Sequence, residues 1–167
     1  SDLSRAAAAR RISTGPSRRE RTRSPSRGTS ASRASVEAGW PVFGIDMDEG
    51  IIPLEAGIER RAISMTKGCY VGQEVIVRVL HRGQGRVARK LMALRIEGGM
   101  PPAGATIVAA DKDIGFVTSV ATSPRFGAIA LGYVHRDFFE PGTRVEIQTG
   151  TGRQGAVVSE RPIPSAV

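Results

Sequence analysis

Residues 105–134, ATIVAADKDIGFVTSVATSPRFGAIALGYV, decide the fold of this chain. They hold three short apolar segments, which lie near 105–110, 114–122 and 127–134. The segments are separated by the turn signals Asp111-Lys112-Asp113 and Ser123-Pro124, and short apolar segments between turn signals are typical of β-strands. Residues 129–134 are apolar in both phases of the strand period, so we expect that strand to be buried on both faces.

The same pattern continues on both sides of this stretch. Further apolar segments, separated by glycine- and proline-containing turns, lie near 87–97, 143–149 and 153–160. Six strands at intervals of about 8–14 residues are typical of a small closed antiparallel sheet. The sequence therefore predicts a six-stranded antiparallel β-barrel over residues 85–162, followed by a short tail at 163–167.

Residues 36–84, which precede the predicted barrel, have a different pattern. Residues 36–57 combine apolar side chains with glycine and proline breaks and predict a packed irregular segment with short extended pieces. Residues 58–65 are long enough for one or two helical turns. Residues 72–82 carry apolar side chains at four-residue spacing, which favours an amphipathic helix, although the β-branched run Val75-Ile76-Val77 would suit a strand. We therefore assign the chain to the α+β class.

The positive charge of the chain is concentrated in residues 1–35. The formal net charge is +8, but residues 1–35 hold nine arginines and two acidic residues, and the remainder carries a net charge of +1. Because residues 1–35 have almost no large apolar side chains, we expect a disordered tail. The near-neutral remainder gives no electrostatic argument for binding nucleic acid, and we predict none. An RNA-binding module that uses the basic tail is an alternative interpretation.

The single cysteine and the lack of long apolar runs bear on the compartment. One cysteine cannot form an internal disulfide or complete a four-thiolate metal site. We therefore expect no metal ion and a reducing compartment, most simply the cytosol. No apolar run approaches the roughly 18 residues needed to span a bilayer, so we expect no membrane partner. The arginine- and serine-rich N-terminus also fits a mitochondrial or plastid transit peptide.

The block Lys67-Gly68-Cys69-Tyr70-Val71-Gly72-Gln73-Glu74 contains the only cysteine. Lys67 would favour the thiolate form of Cys69, as would the N-terminus of a helix that begins near Gly72. The two glycines permit backbone conformations that are closed to other residues. These features favour a reactive thiol at a site, whereas the commonest state of a lone cysteine is buried and inert.

This block resembles the KGCYxGQE signature of the YgfZ-type folate-binding proteins. These are relatives of aminomethyltransferase, the T-protein of the glycine cleavage system. Two further segments stand in the family's order: residues 37–46 resemble its EAG-x-P-x-aromatic-G segment, and residues 52–57 resemble its P-x-E-A-G turn. The β-rich stretch from Arg86 to about Arg161 resembles the family's C-terminal barrel.

The resemblance implies a role in maintaining or assembling iron–sulfur enzymes, including those that thiolate tRNA. The residue most closely linked to that role is Cys69, our candidate catalytic residue. The other residues of the motif are Lys67, Gly68, Tyr70, Gly72, Gln73 and Glu74. A cluster needs about four thiolate or imidazole ligands, so we expect the chain to help iron–sulfur client proteins rather than to carry a cluster itself. We expect it to be a monomer.

The resemblance also implies a tetrahydrofolate-binding scaffold. A carboxylate can accept both the amino group and the ring N–H of a pterin, and Glu37 or Glu49 is the residue we expect to do so. Phe43 corresponds to an aromatic residue that packs against folate. Arg86 or Arg89 is expected to hold the anionic glutamate tail.

One departure from the family affects the expected activity. Family members are longer, and the N-terminal half that builds much of their folate pocket has no counterpart here. The chain therefore resembles the C-terminal part of such a protein, with residues 36–84 as a remnant of the folate-binding domain. We expect no transferase activity from this part alone, and a folate-dependent aminomethyltransferase of the glycine cleavage system is the enzymatic alternative.

Overall fold

The computed structural model of the chain describes residues 31–64, 68–69, 71–81 and 86–164. The predicted disordered tail falls mostly on residues 1–30, outside this described part. Its last three residues are ordered, because a helix begins at Arg33, so the predicted boundary at residue 35 is wrong by a few residues. Ser32 is the reason that the helix begins there, since its hydroxyl oxygen accepts a hydrogen bond from the Ser35 N–H at 3.1 Å.

Four short helices precede the barrel in the described part of the chain. They are α1 (Arg33–Glu37), α2 (Pro53–Ala56), α3 (Glu59–Ala62) and α4 (Gln73–His81). Proline at the first position of α2 and Gly57 after it, at φ 65°, are ordinary start and stop signals. Helices α3 and α4 confirm the helices predicted over 58–65 and 72–82. Between α1 and α2 the chain is irregular, as predicted, with one isolated bridge between Phe43 and Met47.

Six strands close into an antiparallel barrel. They are β1 (Arg89–Ile96), β2 (Thr106–Ala109), β3 (Lys112–Ser123), β4 (Gly127–His135), β5 (Arg144–Thr149) and β6 (Gly152–Ser159). Around the barrel the order is β1-β4-β3-β2-β5-β6, and every neighbouring pair is antiparallel. This arrangement confirms the predicted barrel, and closure removes the open sheet edges that would otherwise pair with other chains.

The hairpin between β2 and β3 turns one residue earlier than the sequence predicts. Ala109 pairs with Lys112, which leaves Ala110 and Asp111 as a two-residue loop with φ values of 49° and 59°. Positive φ at both loop residues is the type I′ geometry, whose twist matches that of the flanking strands. Lys112 and Asp113 therefore belong to the strand rather than to the turn.

Strand β4 is buried on both faces, as predicted, because two apolar clusters lie on opposite sides of it. Inside the barrel, Ala130 and Val134 pack with Leu94 and Ile107 among others. On the outer face, the cluster contains residues of β1, β3 and β4, one residue of α1 and one of the C-terminal segment; they are Val36, Leu91, Ala93, Ala121, Ile129, Leu131, Tyr133 and Ile163. The helical segment, residues 31–64, and the C-terminal segment, residues 160–164, therefore cover one wall of the barrel.

Arg161 fastens the helical segment to that wall. Its guanidinium donates to the carbonyl oxygen of Gly39, just after α1, at 3.0 Å. It also donates to the carbonyl oxygen of Ala56, at the end of α2, at 2.8 Å. Burial lowers the pKa of the Arg161 guanidinium, and the charges of Tyr133, Glu59 and Asp46 act in the opposite direction. One partly buried side chain thus holds the ends of two helices against the barrel.

Candidate functional site

A cleft of about 690 Å³ lies where the irregular segment between α1 and α2 meets the wall of the barrel. Its residues are Phe43, Asp46, Asp48, Glu49, Gly50 and Ile51 from that segment, and Arg89, Gly104, Phe116 and Tyr133 from the barrel and its loops. The lining combines three carboxylates, one guanidinium and three aromatic rings. Such a mixture of apolar rings and a few polar groups is typical of a small-molecule site.

Asp46 fixes the cleft's shape. It is 1% exposed, and its Oδ1 accepts hydrogen bonds from the hydroxyls of Thr118 and Ser119 on β3, both at 2.5 Å. Its Oδ2 accepts from the Val42 N–H at 2.9 Å. Three donors compensate the loss of hydration that a buried carboxylate suffers. Asp46 therefore ties the irregular segment to the barrel and holds Phe43 and its neighbours in place.

Arg89 lies at the boundary between the helices and the barrel. Its Nε is 3.4 Å from the Oε2 of Glu55 on α2. Its guanidinium carbon is 5.3 Å from the ring centroid of Tyr133 and 5.8 Å from that of Phe116. A guanidinium within about 6 Å of an aromatic face is attracted by the ring quadrupole. Arg89 is thus held by an ion pair and two rings, with 39% of its side chain exposed.

Tyr133 forms part of the cleft wall, although the residue is only 1% exposed. Its hydroxyl is buried and has no hydrogen-bond partner among the described residues. Burial raises the pKa of the phenol, and the negative charge of Glu55 raises it further. Sequence reasoning missed this residue, whose one signal is a hydroxyl in a strand that is otherwise apolar on both faces.

The open side of the cleft is formed by Phe43, Asp48 and Glu49. The Phe43 ring is 67% exposed, and Glu49 is also exposed. The Oδ1 of Asp48 accepts a hydrogen bond from the Gly50 N–H at 2.9 Å, which shapes the turn at the edge of the cleft. An exposed aromatic ring beside carboxylates offers both a stacking surface and acceptors for N–H donors.

The structure separates the residues predicted to bind folate. Phe43, Glu49 and Arg89 come together in the cleft. Glu37 is not among the cleft's lining residues and pairs instead with Arg33 on the same helix, with 3.7 Å between Nε and Oε1. Arg86 lies in a second depression of about 470 Å³, formed with Leu54, Glu59, Val87, Lys90, Arg136, Asp137 and Phe139.

The cysteine motif is described only in part. Lys67 and Tyr70 lie outside the described residues, whereas Gly68 and Cys69 are described and exposed. Gly72 precedes α4 at φ 85°, and Gln73 and Glu74 open that helix. Cys69 is not among the residues that line the cleft. The exposed thiol and the cleft are therefore two separate features in this structure.

Two further findings concern the part of the chain that the structure describes. Within it, no group of three His, Cys, Asp or Glu side chains is arranged to hold a metal ion. None of the helices in the same ranges is long and apolar enough to cross a bilayer; α4, with nine residues, is the longest of them.

The barrel matches a known family of domains. Residues 89–163 match the family model of the glycine cleavage T-protein C-terminal barrel domain. The match covers all six strands, and the closed antiparallel topology agrees with it. The barrel is therefore similar to the C-terminal barrel domain of glycine cleavage T-proteins, which supports the sequence-based assignment to the T-protein superfamily.

Named relatives extend the similarity to part of the helical segment. The chain is 36% identical to the aminomethyltransferase of Thermosynechococcus vestitus over 129 residues, which are 76% of this chain and 34% of the relative. It is 36% identical to the aminomethyltransferase of Streptomyces coelicolor over 110 residues, which are 65% of this chain and 30% of the relative. The chain thus spans about a third of the length of the curated relatives that it matches.

A solved structure is also similar to this chain over more than the barrel. The crystal structure of the glycine cleavage system aminomethyltransferase T from Bartonella henselae superposes with a TM-score of 0.68 at 25% sequence identity. The aligned region is 77% of this chain and 36% of that protein. The similarity therefore includes residues outside the six strands.

Proposed function

We propose that the chain is the C-terminal part of a tetrahydrofolate-binding protein of the aminomethyltransferase type and that the cleft receives the pterin ring. The observation that carries the proposal is the meeting of Phe43, Glu49 and Arg89 in one cleft of suitable size. The names of the relatives, all aminomethyltransferases, support a folate-dependent activity.

The cleft offers contacts for one face and one edge of such a ring and for the tail. The exposed ring of Phe43 packs against one face of the heterocycle. Glu49, with Asp48 beside it, accepts hydrogen bonds from the amino group and ring N–H of the pterin. Arg89 in the cleft and Arg86 in the neighbouring depression are the proposed contacts for the anionic tail.

The transferase activity itself requires more residues than this chain supplies. The relatives are about three times as long, so the remaining walls of the pocket come from residues that this chain does not match. We propose that the cleft is one wall of the folate site. Because only one wall is present, binding to this chain alone is expected in the high micromolar to millimolar range, at about −4 to −6 kcal/mol.

The test is a titration of the ¹⁵N-labelled full chain with folic acid, followed by NMR. Saturable shifts are expected at cleft residues, and Glu49→Gln is expected to weaken binding about tenfold because a charged acceptor is lost. Glu140→Gln, which changes an exposed carboxylate that does not line the cleft, is the matched control and should bind like the wild type. If the cleft residues show no chemical-shift changes at a saturating ligand concentration, the proposal is refuted.

An iron–sulfur helper role of the YgfZ type is the second candidate, favoured by one observation. Cys69 is exposed, as a reactive thiol must be, rather than buried among aliphatic side chains. If it serves that role, alkylation of Cys69 by iodoacetamide should be at least about tenfold faster than that of a model thiol at the same pH. An ordinary alkylation rate would contradict the YgfZ-type role of Cys69 and leave the transferase-type interpretation. One-carbon transfer from a lipoyl-bound amine would support the transferase type directly, although we expect none from this chain alone.

A further inference from the structure

Tyr133 occupies an unusual position in the cleft. It lies in the middle of β4, paired with Leu91 of β1 on one side and Phe116 of β3 on the other. Its ring centroid is 5.4 Å from that of Phe116, and Arg89 lies over its face. The residue is almost completely buried, yet it lines the cleft.

The hydroxyl of Tyr133 has no packing role that phenylalanine could not fill. It is buried and has no hydrogen-bond partner in the described part of the chain. A buried hydroxyl without a partner destabilises the folded protein, because the hydration it had in the unfolded chain is not replaced. Buried polar groups in folded proteins nearly always have a hydrogen-bond partner. Because Tyr133 lines the cleft, its unpaired hydroxyl indicates that the partner is a group of a bound ligand.

We propose that the Tyr133 hydroxyl donates a hydrogen bond to an acceptor oxygen of the ligand in the cleft and so determines specificity. The inference rests on the proposed function, in that the ligand is taken to be a folate. A folate has acceptor oxygens in three places, the ring carbonyl at C4, the amide carbonyl of the p-aminobenzoyl group and the carboxylates of the glutamate tail. The carboxylates of Asp48 and Glu49, which also line the cleft, favour N–H donors of the ligand.

The surroundings of Tyr133 keep its hydroxyl protonated. Burial raises the phenol pKa and Glu55 and Asp46 add to the effect, whereas Arg89 and Arg161 lower it. The net shift is upward, so the hydroxyl is a donor at every physiological pH. A donor that stays protonated can discriminate between a ligand oxygen and an amino group at the same place.

The experiment compares three probes on two proteins. The full wild-type chain and Tyr133→Phe are titrated by NMR with folic acid, with its 4-amino analogue, which lacks the ring carbonyl, and with pteroic acid, which lacks the glutamate tail. Tyr133→Phe is expected to be as stable as the wild type or more stable without ligand, and to bind folic acid about tenfold more weakly. A structural hydroxyl would instead lower the melting temperature and leave affinity unchanged.

The probes identify which oxygen accepts the hydrogen bond. If it is the ring carbonyl, the wild type binds the 4-amino analogue about tenfold more weakly than folic acid, and Tyr133→Phe binds the two equally. If it is a tail carboxylate, the 4-amino analogue is as sensitive to Tyr133→Phe as folic acid, and pteroic acid is insensitive. If it is the amide carbonyl, whose place in pteroic acid is taken by a carboxylate oxygen, Tyr133→Phe weakens the binding of all three probes. Each of these patterns supports the proposal.

Other outcomes overturn it. Equal affinity of the two proteins for folic acid would show that the hydroxyl makes no contact, while the proposed folate site would stand. If the wild type binds none of the probes at the cleft, both the proposed function and this inference fail.

Discussion

The barrel and the helical segment of residues 31–64 are held in different ways. The six strands pair continuously around the barrel and bury residues such as Leu94 and Ile147 completely. In the helical segment no helix is longer than five residues, and its attachment includes the contacts of Val36, Asp46 and Arg161 and the ion pair between Glu55 and Arg89. Isolated helices of this length are not stable, so these few contacts keep the segment folded.

This difference matters because the cleft lies between the two regions. Its aromatic wall, Phe116 and Tyr133, belongs to the barrel, whereas Phe43, Asp48 and Glu49 belong to the segment that Asp46 ties down. Loss of an anchor should therefore disturb the cleft while the barrel stays intact. Loss of a barrel core residue should disturb both regions together.

The largest effect is expected from Leu94→Ala. Leu94 is fully buried inside the barrel, and the substitution removes apolar contacts and leaves a cavity. The free energy of unfolding should fall by about 3 kcal/mol, measured by urea denaturation. Val75→Ala on α4, where the side chain is 52% exposed, is the matched control and should change it by less than about 0.5 kcal/mol. Similar effects of the two substitutions would contradict the assignment of the barrel as the stable core.

Arg161→Ala should have the next largest effect and should affect the helical segment but not the barrel. It removes the donors to the carbonyl oxygens of Gly39 and Ala56 and is expected to cost about 2 kcal/mol. Amide hydrogen exchange should become faster in residues 33–62 and stay slow in the six strands. Arg144→Ala, at an exposed position of β5, should change neither. Uniformly faster exchange would show instead that the two regions unfold as one unit.

The alkaline stability of the protein tests the wall that the two regions share. Because the pKa of the Tyr133 phenol is raised in the folded protein, only the unfolded chain releases this proton just above the ordinary tyrosine pKa of about 10. Stability is therefore full below pH 10 and falls as the pH rises further. At pH 11 the wild type should have lost about 1.4 kcal/mol that Tyr133→Phe retains, measured by urea denaturation at each pH. Parallel stability curves for the two proteins would contradict the prediction.

Arg78→Ala should have the smallest effect. Arg78 and Glu74 form an ion pair of 2.6 Å one turn apart on α4, and both side chains are mostly exposed. Such pairs contribute about 0.3–0.5 kcal/mol because water and salt screen them. The barrel's unfolding midpoint in urea should be unchanged, and Glu74→Gln should give the same result. A loss above about 1 kcal/mol would mean that Arg78 takes part in stabilising more than its own helix.

Local patterns in the sequence predict the barrel well and the site only in part. Each strand has its own apolar run and turn signals, so 87–97 and 127–134 predict β1 and β4 closely. The two ends of the segment 36–57 lie in α1 and α2, and the part between them is irregular; the contacts that hold the two helices come from distant Arg161, which no local pattern shows. Glu37 pairs with Arg33 at the local i,i+4 spacing, whereas its separation from the cleft is decided by the tertiary structure.

The amino-acid sequence alone determined the six-stranded antiparallel barrel and its resemblance to the T-protein superfamily, since alternation, turn residues and short motifs are local properties. Only the tertiary structure decided which polar groups share a cleft. Phe43, Glu49, Arg89 and Tyr133 come from four separate positions along the chain and meet because Asp46 and Arg161 fix the helical segment on the barrel. The unpaired hydroxyl of Tyr133 is likewise a property of packing, because a missing partner is visible only when all neighbours are in place.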